Sequence, residues 1–119
     1  MTKCLICEHI LTIDSLSCES CNTTYKSKSF FPPLARLSLE EQHLTEALIL
    51  HGGNLKEMAE GLDISYPTLK KRLNDLTLSL KEKKSEDEKR IEGILVQIEE
   101  REMNAEEGIK LIREINGEL

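Results

Sequence analysis

Four cysteines stand in two matched pairs, Cys4-Leu5-Ile6-Cys7 and Cys18-Glu19-Ser20-Cys21, and the rest of the chain has none. Nothing else in the sequence restricts the fold as tightly. Each C-x-x-C lets two thiolates converge on one ion from a tight turn. The spacer from Glu8 to Ser17 is long enough for a β-hairpin that brings the second pair round to the first. The expectation is a tetrahedral site in which Cys4, Cys7, Cys18 and Cys21 hold a structural Zn2+. A rubredoxin-like iron centre uses the same ligands, and ligand identity does not separate the two metals. Disulfides or a redox dithiol are the remaining readings. Two disulfides need an oxidising compartment, and Met1 to Ser20 holds no apolar run of signal-peptide type. A site closed by four protein ligands is structural rather than catalytic, and His9 beside it reads as a hairpin residue.

The 119 residues are 39% apolar but only 3% aromatic, without tryptophan, which describes small modules rather than one large core. A ribbon as short as residues 1–31 buries too little to fold alone. Metal binding, on the order of 10–16 kcal/mol in small zinc modules, would serve as its folding energy. No stretch is long and apolar enough to cross a membrane, so a cytoplasmic protein is expected.

The net charge of −6 is unevenly distributed. Lys70, Lys71, Arg72, Lys81, Lys83 and Lys84 are opposed in their window only by Asp75 and Glu82, whereas acid concentrates after Ser85. Double-stranded DNA would meet the middle of the chain and avoid its tail.

Along the chain, Tyr25 to Phe31 reads as an extended stretch halted by Pro32-Pro33. Ser38 and Glu41 form a capping box that starts a helix at Leu39, with Leu44, Ala47, Leu48 and His51 on its inner stripe and Gly52-Gly53 as its stop. Asn54 and Glu57 start a short second helix with Leu55, Met58, Ala59 and Leu62 inside. After a tight turn, Ser65 caps a third helix, 66–80, with Pro67 in its first turn and Leu69, Leu73, Leu76 and Leu80 on its core face. Two helices joined by a short turn, the second basic outside, make a helix-turn-helix. The residues that project for DNA contact are Ser65, Tyr66, Thr68, Lys70, Lys71, Arg72 and Asn74. Those near the helix start suit base edges or phosphate, Lys70 and Asn74 reach deeper bases, and Lys71 and Arg72 suit phosphates.

Residues 81–88 read as a charged linker or the exposed end of a longer helix. Ser85 and Glu88 offer a capping box before Ile91, Ile94, Leu95 and Ile98. Asn104 and Glu107 repeat the device before Ile109, Ile112 and Ile115, with Asn116-Gly117 as the stop. Two such helices make a hairpin, 89–119, whose isoleucine stripe needs a partner surface. Self-association is the expectation, because a two-fold dimer would place two recognition helices about 34 Å apart. An intramolecular brace is the other reading.

The segment from Asn54 to Leu73 resembles the helix-turn-helix of Fis-type bacterial DNA-binding proteins. Ala59 is small where the helices cross, Ile64 and Leu69 plug the core, and Asp63 replaces the usual turn glycine. The tail resembles short C-terminal SHOCT-like hairpins in Ile94-Leu95, Asn104-Ala105-Glu106-Glu107 and Leu111-Ile112. The order of ribbon, Leu34-Ala35-Arg36-Leu37-Ser38, Gly52-Gly53-Asn54 and Ile64-Ser65-Tyr66-Pro67-Thr68 is similar to the bacterial domain of unknown function 2089. That likeness spans about the first eighty residues of the sequence. It implies a zinc ribbon plus helix-turn-helix acting in transcription, with no catalytic residue.

The expected fold is mainly α with a small β zinc ribbon: ribbon 1–31, tri-helical domain 32–80, charged segment 81–88 and hairpin 89–119. No phosphate loop, catalytic motif or open metal site marks an enzyme, and no small-molecule substrate is evident. The expected function is a zinc-containing, DNA-binding bacterial transcriptional regulator. The alternative is an adaptor that binds RNA polymerase or a sigma factor through ribbon and hairpin without specific DNA contact.

Overall fold

The structure, a computed structural model, describes residues 2–117, with Ser27 described by its backbone alone. The elements run β1 (Thr12–Ser17), β2 (Thr24–Phe30), a 3-10 turn (Pro33–Arg36), then α1 (Leu39–Leu50), α2 (Leu55–Gly61), α3 (Tyr66–Glu99) and α4 (Ala105–Ile115). The chain is mainly helical with a small antiparallel ribbon at its start. It forms two compact units, Leu37–Ser85 and a second made of the residues up to Arg36 together with those from Glu86 onward.

In the first unit every helix boundary is written locally. Ser38 accepts from the Glu41 amide while Glu41 accepts from the Ser38 N–H, the reciprocal box that satisfies two orphan donors. The Ser79 hydroxyl also donates to Glu41 and, with Ser38 and the Lys83 charge, holds its carboxyl below the ordinary value. At the end of α1 the Gly52 N–H bonds Ile49 O and the Gly53 N–H bonds Leu48 O, both glycines at positive φ. α2 stops the same way with Asp63 at φ 54, the Asp63 and Ile64 amides bonding Glu60 O and Ala59 O. A short polar side chain tolerates this left-handed position at small cost. Met58, Ala59 and Leu69 form the core, and Leu44, Ala47, Leu48, Leu55, Ile64 and Leu73 pack around it. His51 belongs to this packing. Its Nδ1 lies 2.7 Å from Ala47 O, and a Cβ on Gly61 would come within 3.0 Å of its Nε2, so glycine permits the close approach of α2.

Of the two readings of residues 81–88, α3 takes the helical one: they continue the helix, as its interior rather than its end, and the Ser85–Glu88 box starts nothing. Between Pro67 and Gly93 the sequence has neither glycine nor proline, so strong helix formers carry the backbone through the charged run. The last helix does begin at an Asn104 cap, but its side chain accepts from the Glu106 amide rather than that of Glu107.

In the second unit β1 and β2 pair antiparallel from Ser17↔Thr24 to Thr12↔Phe30, and the register slips by one between Ile13 and Ser15 because β2 carries an extra residue. The spacer between the cysteine pairs is therefore one strand, not the expected hairpin. The hairpin forms after it, with Cys18–Cys21 at its turn, and a separate bridge, Lys3↔Ile10, closes the loop around Cys4–Cys7. Arg36 anchors this unit. It is buried, donates from Nη1 to Phe31 O at 2.7 Å and pairs through Nη2 with Asp87 at 2.8 Å, with Glu86 at 3.9 Å from Nε. Arg90 lies 4.6 Å over the Phe30 ring.

The isoleucine stripe is largely turned inward. Ile115 and Gly108 are buried, Ile91, Ile94, Ile98 and Ile112 are half-buried, and Leu95 and Ile109 remain exposed. A Cβ on Gly108 would overlap the Ile98 side chain and meet Ile94 Cγ2 at 3.3 Å. Gly108→Ala should therefore lower the thermal midpoint, although alanine gains about 1 kcal/mol of helix propensity, because overpacking costs about 1–3 kcal/mol. Adding Ile98→Val should restore much of the loss. A stabilised G108A would show that the two helices do not close on this glycine.

Candidate nucleic-acid interface and thiol pairs

The polar face of α3 is built by its buried one. Leu69 and Leu76 are buried and Leu73 and Leu80 half-buried, and this stripe fixes which residues turn outward. Ser65, Tyr66, Thr68, Lys70, Lys71, Arg72 and Asn74 are all exposed. Tyr66, Lys70 and Asn74 recur at i, i+4 and i+8 and so share one line along the helix. Ser65 caps the helix by accepting from the Thr68 amide at 3.3 Å, and the two hydroxyls meet at 2.8 Å. Part of their hydrogen-bonding capacity is thus used at home, whereas Tyr66, Lys70 and Asn74 present their polar ends to solvent. The preceding turn, from Leu62 to Ser65, is fixed by Asp63 and by Ile64, which packs into the core. The result is a rigidly mounted helix start with three consecutive cations, Lys70, Lys71 and Arg72, on solvent.

The two cysteine loops are near copies. Cys4 N–H bonds His9 O at 2.8 Å and Cys4 O accepts from the Glu8 amide at 3.0 Å. Cys18 N–H bonds Thr23 O and Cys18 O accepts from the Asn22 amide, both at 2.8 Å. The residue after each pair is left-handed, Glu8 at φ 60 and Asn22 at φ 59. Asparagine suits that conformation, whereas Glu8 adopts it under strain. All four cysteines are free thiols, Cys4 half-exposed and the others exposed.

The local donors favour thiolates. The Cys7 and Ile6 amides and the Cys7 thiol lower Cys4, and the Thr23 hydroxyl and amide and the Cys18 thiol lower Cys21. This donor set suits a soft metal ion. The geometry brings the thiols together in twos, at the two ends of β1. Among the described residues no three Cys, His, Asp or Glu side chains are gathered to hold one ion. A single four-thiolate site therefore requires the two loops to converge further than they do here. Between the cysteines of the first loop, Leu5 and Ile6 project almost wholly into solvent.

Sequence reasoning missed Arg36, whose partners Glu86 and Asp87 are remote in the chain. It also missed Gly108, which reads as an ordinary helix residue until Ile98 is placed against it. The adjacent acids Glu86-Asp87 were the one available signal for a buried cation.

Residues 37–83 match the model of a family described as "Domain of unknown function (DUF2089)-HTH". The match begins just before the Ser38 cap, covers α1 and α2 and ends inside α3. No curated protein and no solved structure matches the chain. Among the described residues no helix is long and apolar enough to cross a membrane.

Proposed function

We propose, from a helix-turn-helix segment of that family at residues 37–83, that the protein is a DNA-binding transcriptional regulator that sets the first turns of α3 in the major groove. One observation carries the reading: the leucine stripe of α3 is packed while every candidate contact residue faces solvent, with three cations in a row. Tyr66, Lys70 and Asn74 read base edges, and Lys71 and Arg72 hold phosphates. The acidic tail keeps clear of the duplex by repulsion.

In this reading Cys4, Cys7, Cys18 and Cys21 would together hold one structural zinc ion, which requires the two loops to close from the separated positions they take here. Bound zinc would supply fold energy to the ribbon and no catalysis. The protein self-associates through apolar positions that its own hairpin leaves uncovered, such as Leu95, Val96 and Ile109. Two copies would place two recognition helices on half-sites about one helical turn apart.

The test uses full-length protein whose zinc content has been measured, with DNA retardation at two salt concentrations followed by selection of bound sequences. One zinc per chain, salt-sensitive retardation and an enriched palindrome are the expected results. Absence of binding at low salt would reassign α3 to a protein partner such as a polymerase subunit. A second zinc, or none, would dismiss the four-thiolate site.

A further inference from the structure

A cavity of about 340 Å3 opens within the unit formed by the ribbon and the C-terminal helices. Lys3 and His9 from the first cysteine loop and Lys89 and Arg90 from α3 contribute to its wall, together with the acids Glu8 and Glu86. These residues come from opposite ends of the sequence, and no motif joins them.

The charges do not balance. Lys3 and Lys89 are exposed ammonium groups, and Arg90 is a guanidinium held over Phe30. Of the two acids, Glu86 lies 3.9 Å from Arg36 with its Oε2 buried and not hydrogen-bonded, and Glu8 is exposed, so three cations stand against two acids. Arg90 is itself poorly compensated. Its Nη1 is buried without a hydrogen-bond acceptor among the described residues. Burial and the nearby Arg36 charge disfavour its cationic form, and Asp87 offsets them only in part while committed at 2.8 Å to Arg36. A half-buried, under-compensated guanidinium beside two exposed ammonium groups makes the potential in this cleft positive. A multiply charged oxyanion answers it with several acceptors at once. The volume lies at the small end of ligand sites.

We propose that this cavity binds a phosphate group, with Lys3 and Lys89 as direct donors and Arg90 as the fixed cation behind them. The phosphate is that of a small free anion, which this solvent-open cleft admits. A backbone phosphate of a bound duplex shares the same chemistry and is separated from it by experiment.

The full-length protein is titrated calorimetrically with inorganic phosphate and, in parallel, with sodium chloride at matched ionic strength. One saturable phosphate per chain is expected, with no saturable response to chloride. Lys3→Gln with Lys89→Gln should weaken binding at least tenfold, the equivalent of about 1.4 kcal/mol, with an unchanged circular dichroism spectrum, because both side chains are exposed. Arg90→Lys, which keeps the charge but not the guanidinium, should weaken it less. Absence of saturation in the millimolar range, or equal affinity in the double variant, overturns the proposal. Addition of phosphate to a protein–duplex mixture identifies the source. Unchanged duplex retention assigns the site to a free anion, and release from the parent protein but not from K3Q/K89Q assigns it to the DNA backbone.

Discussion

Replacing Lys70, Lys71 and Arg72 together by glutamate is expected to abolish duplex binding while leaving the helix-turn-helix folded. The three side chains are exposed, whereas the contacts that hold α3 are made by Leu69, Leu73 and Leu76 on its other face. The variant removes three cations from a small basic window and puts three anions in their place. Each phosphate contact contributes about −0.9 to the slope of log K against log salt, so a large part of that slope should vanish. A loss on the order of a thousandfold at low salt follows from removing several phosphate contacts and adding repulsion. Asn74→Ala should behave differently. Removing a base contact costs about 1–3 kcal/mol at one position and relaxes sequence preference without altering the salt slope. Retention of binding with an unchanged slope in K70E/K71E/R72E would move the DNA surface away from α3 altogether.

Arg36→Met is expected to be the most destabilising single change outside the leucine core. The Arg36 side chain is 3% exposed, and its removal strands Asp87 and Glu86 side by side and leaves Phe31 O without its donor. Breaking a buried pair from one side costs about 3–5 kcal/mol, chiefly the penalty of an uncompensated buried charge. Arg36→Lys should recover only part of this, since an ammonium cannot place two donors in the guanidinium geometry. Hydrogen exchange localises the effect. Amides of β1, β2 and α4 should lose protection, and those of α1 and α2 should keep it, because Arg36 and its partners belong to a single compact unit. The double variant Arg36→Met with Asp87→Asn should be less unstable than R36M alone. If R36M melts like the parent protein, the ion pair is a surface contact worth about 0–1 kcal/mol, and its role as anchor is wrong.

Starts and stops of helices were legible because they depend on residues three or four apart. Ser38 with Glu41, Asn54 with the Glu57 amide, and Gly52-Gly53 at positive φ act as their types predict. So does Asp63, the residue that departs from the usual turn glycine. The inner faces of α1, α2 and the first turns of α3 followed from periodicity, and with them the exposed set from Ser65 to Asn74, except that Leu62, expected inside, is exposed at the C-cap of α2 where the chain turns away. The Ser85–Glu88 box misled for a physical reason. A capping box offers a helix start but does not compel one, and an unbroken run of helix formers leaves no cause to unwind the turn before it.

What the sequence by itself determined is thus the helix-turn-helix with its outward polar face, and the presence of two C-x-x-C loops of like construction. Tertiary structure alone decided the rest. It set the two thiol pairs at opposite ends of a strand, because pairing with β2 holds the spacer extended. It buried Arg36 against acids from the far end of the chain, and it turned the isoleucine stripe onto Gly108. Caps and turns are settled by neighbours within one helical turn, whereas burial and ion pairing depend on which distant surfaces meet, and no local spacing records that.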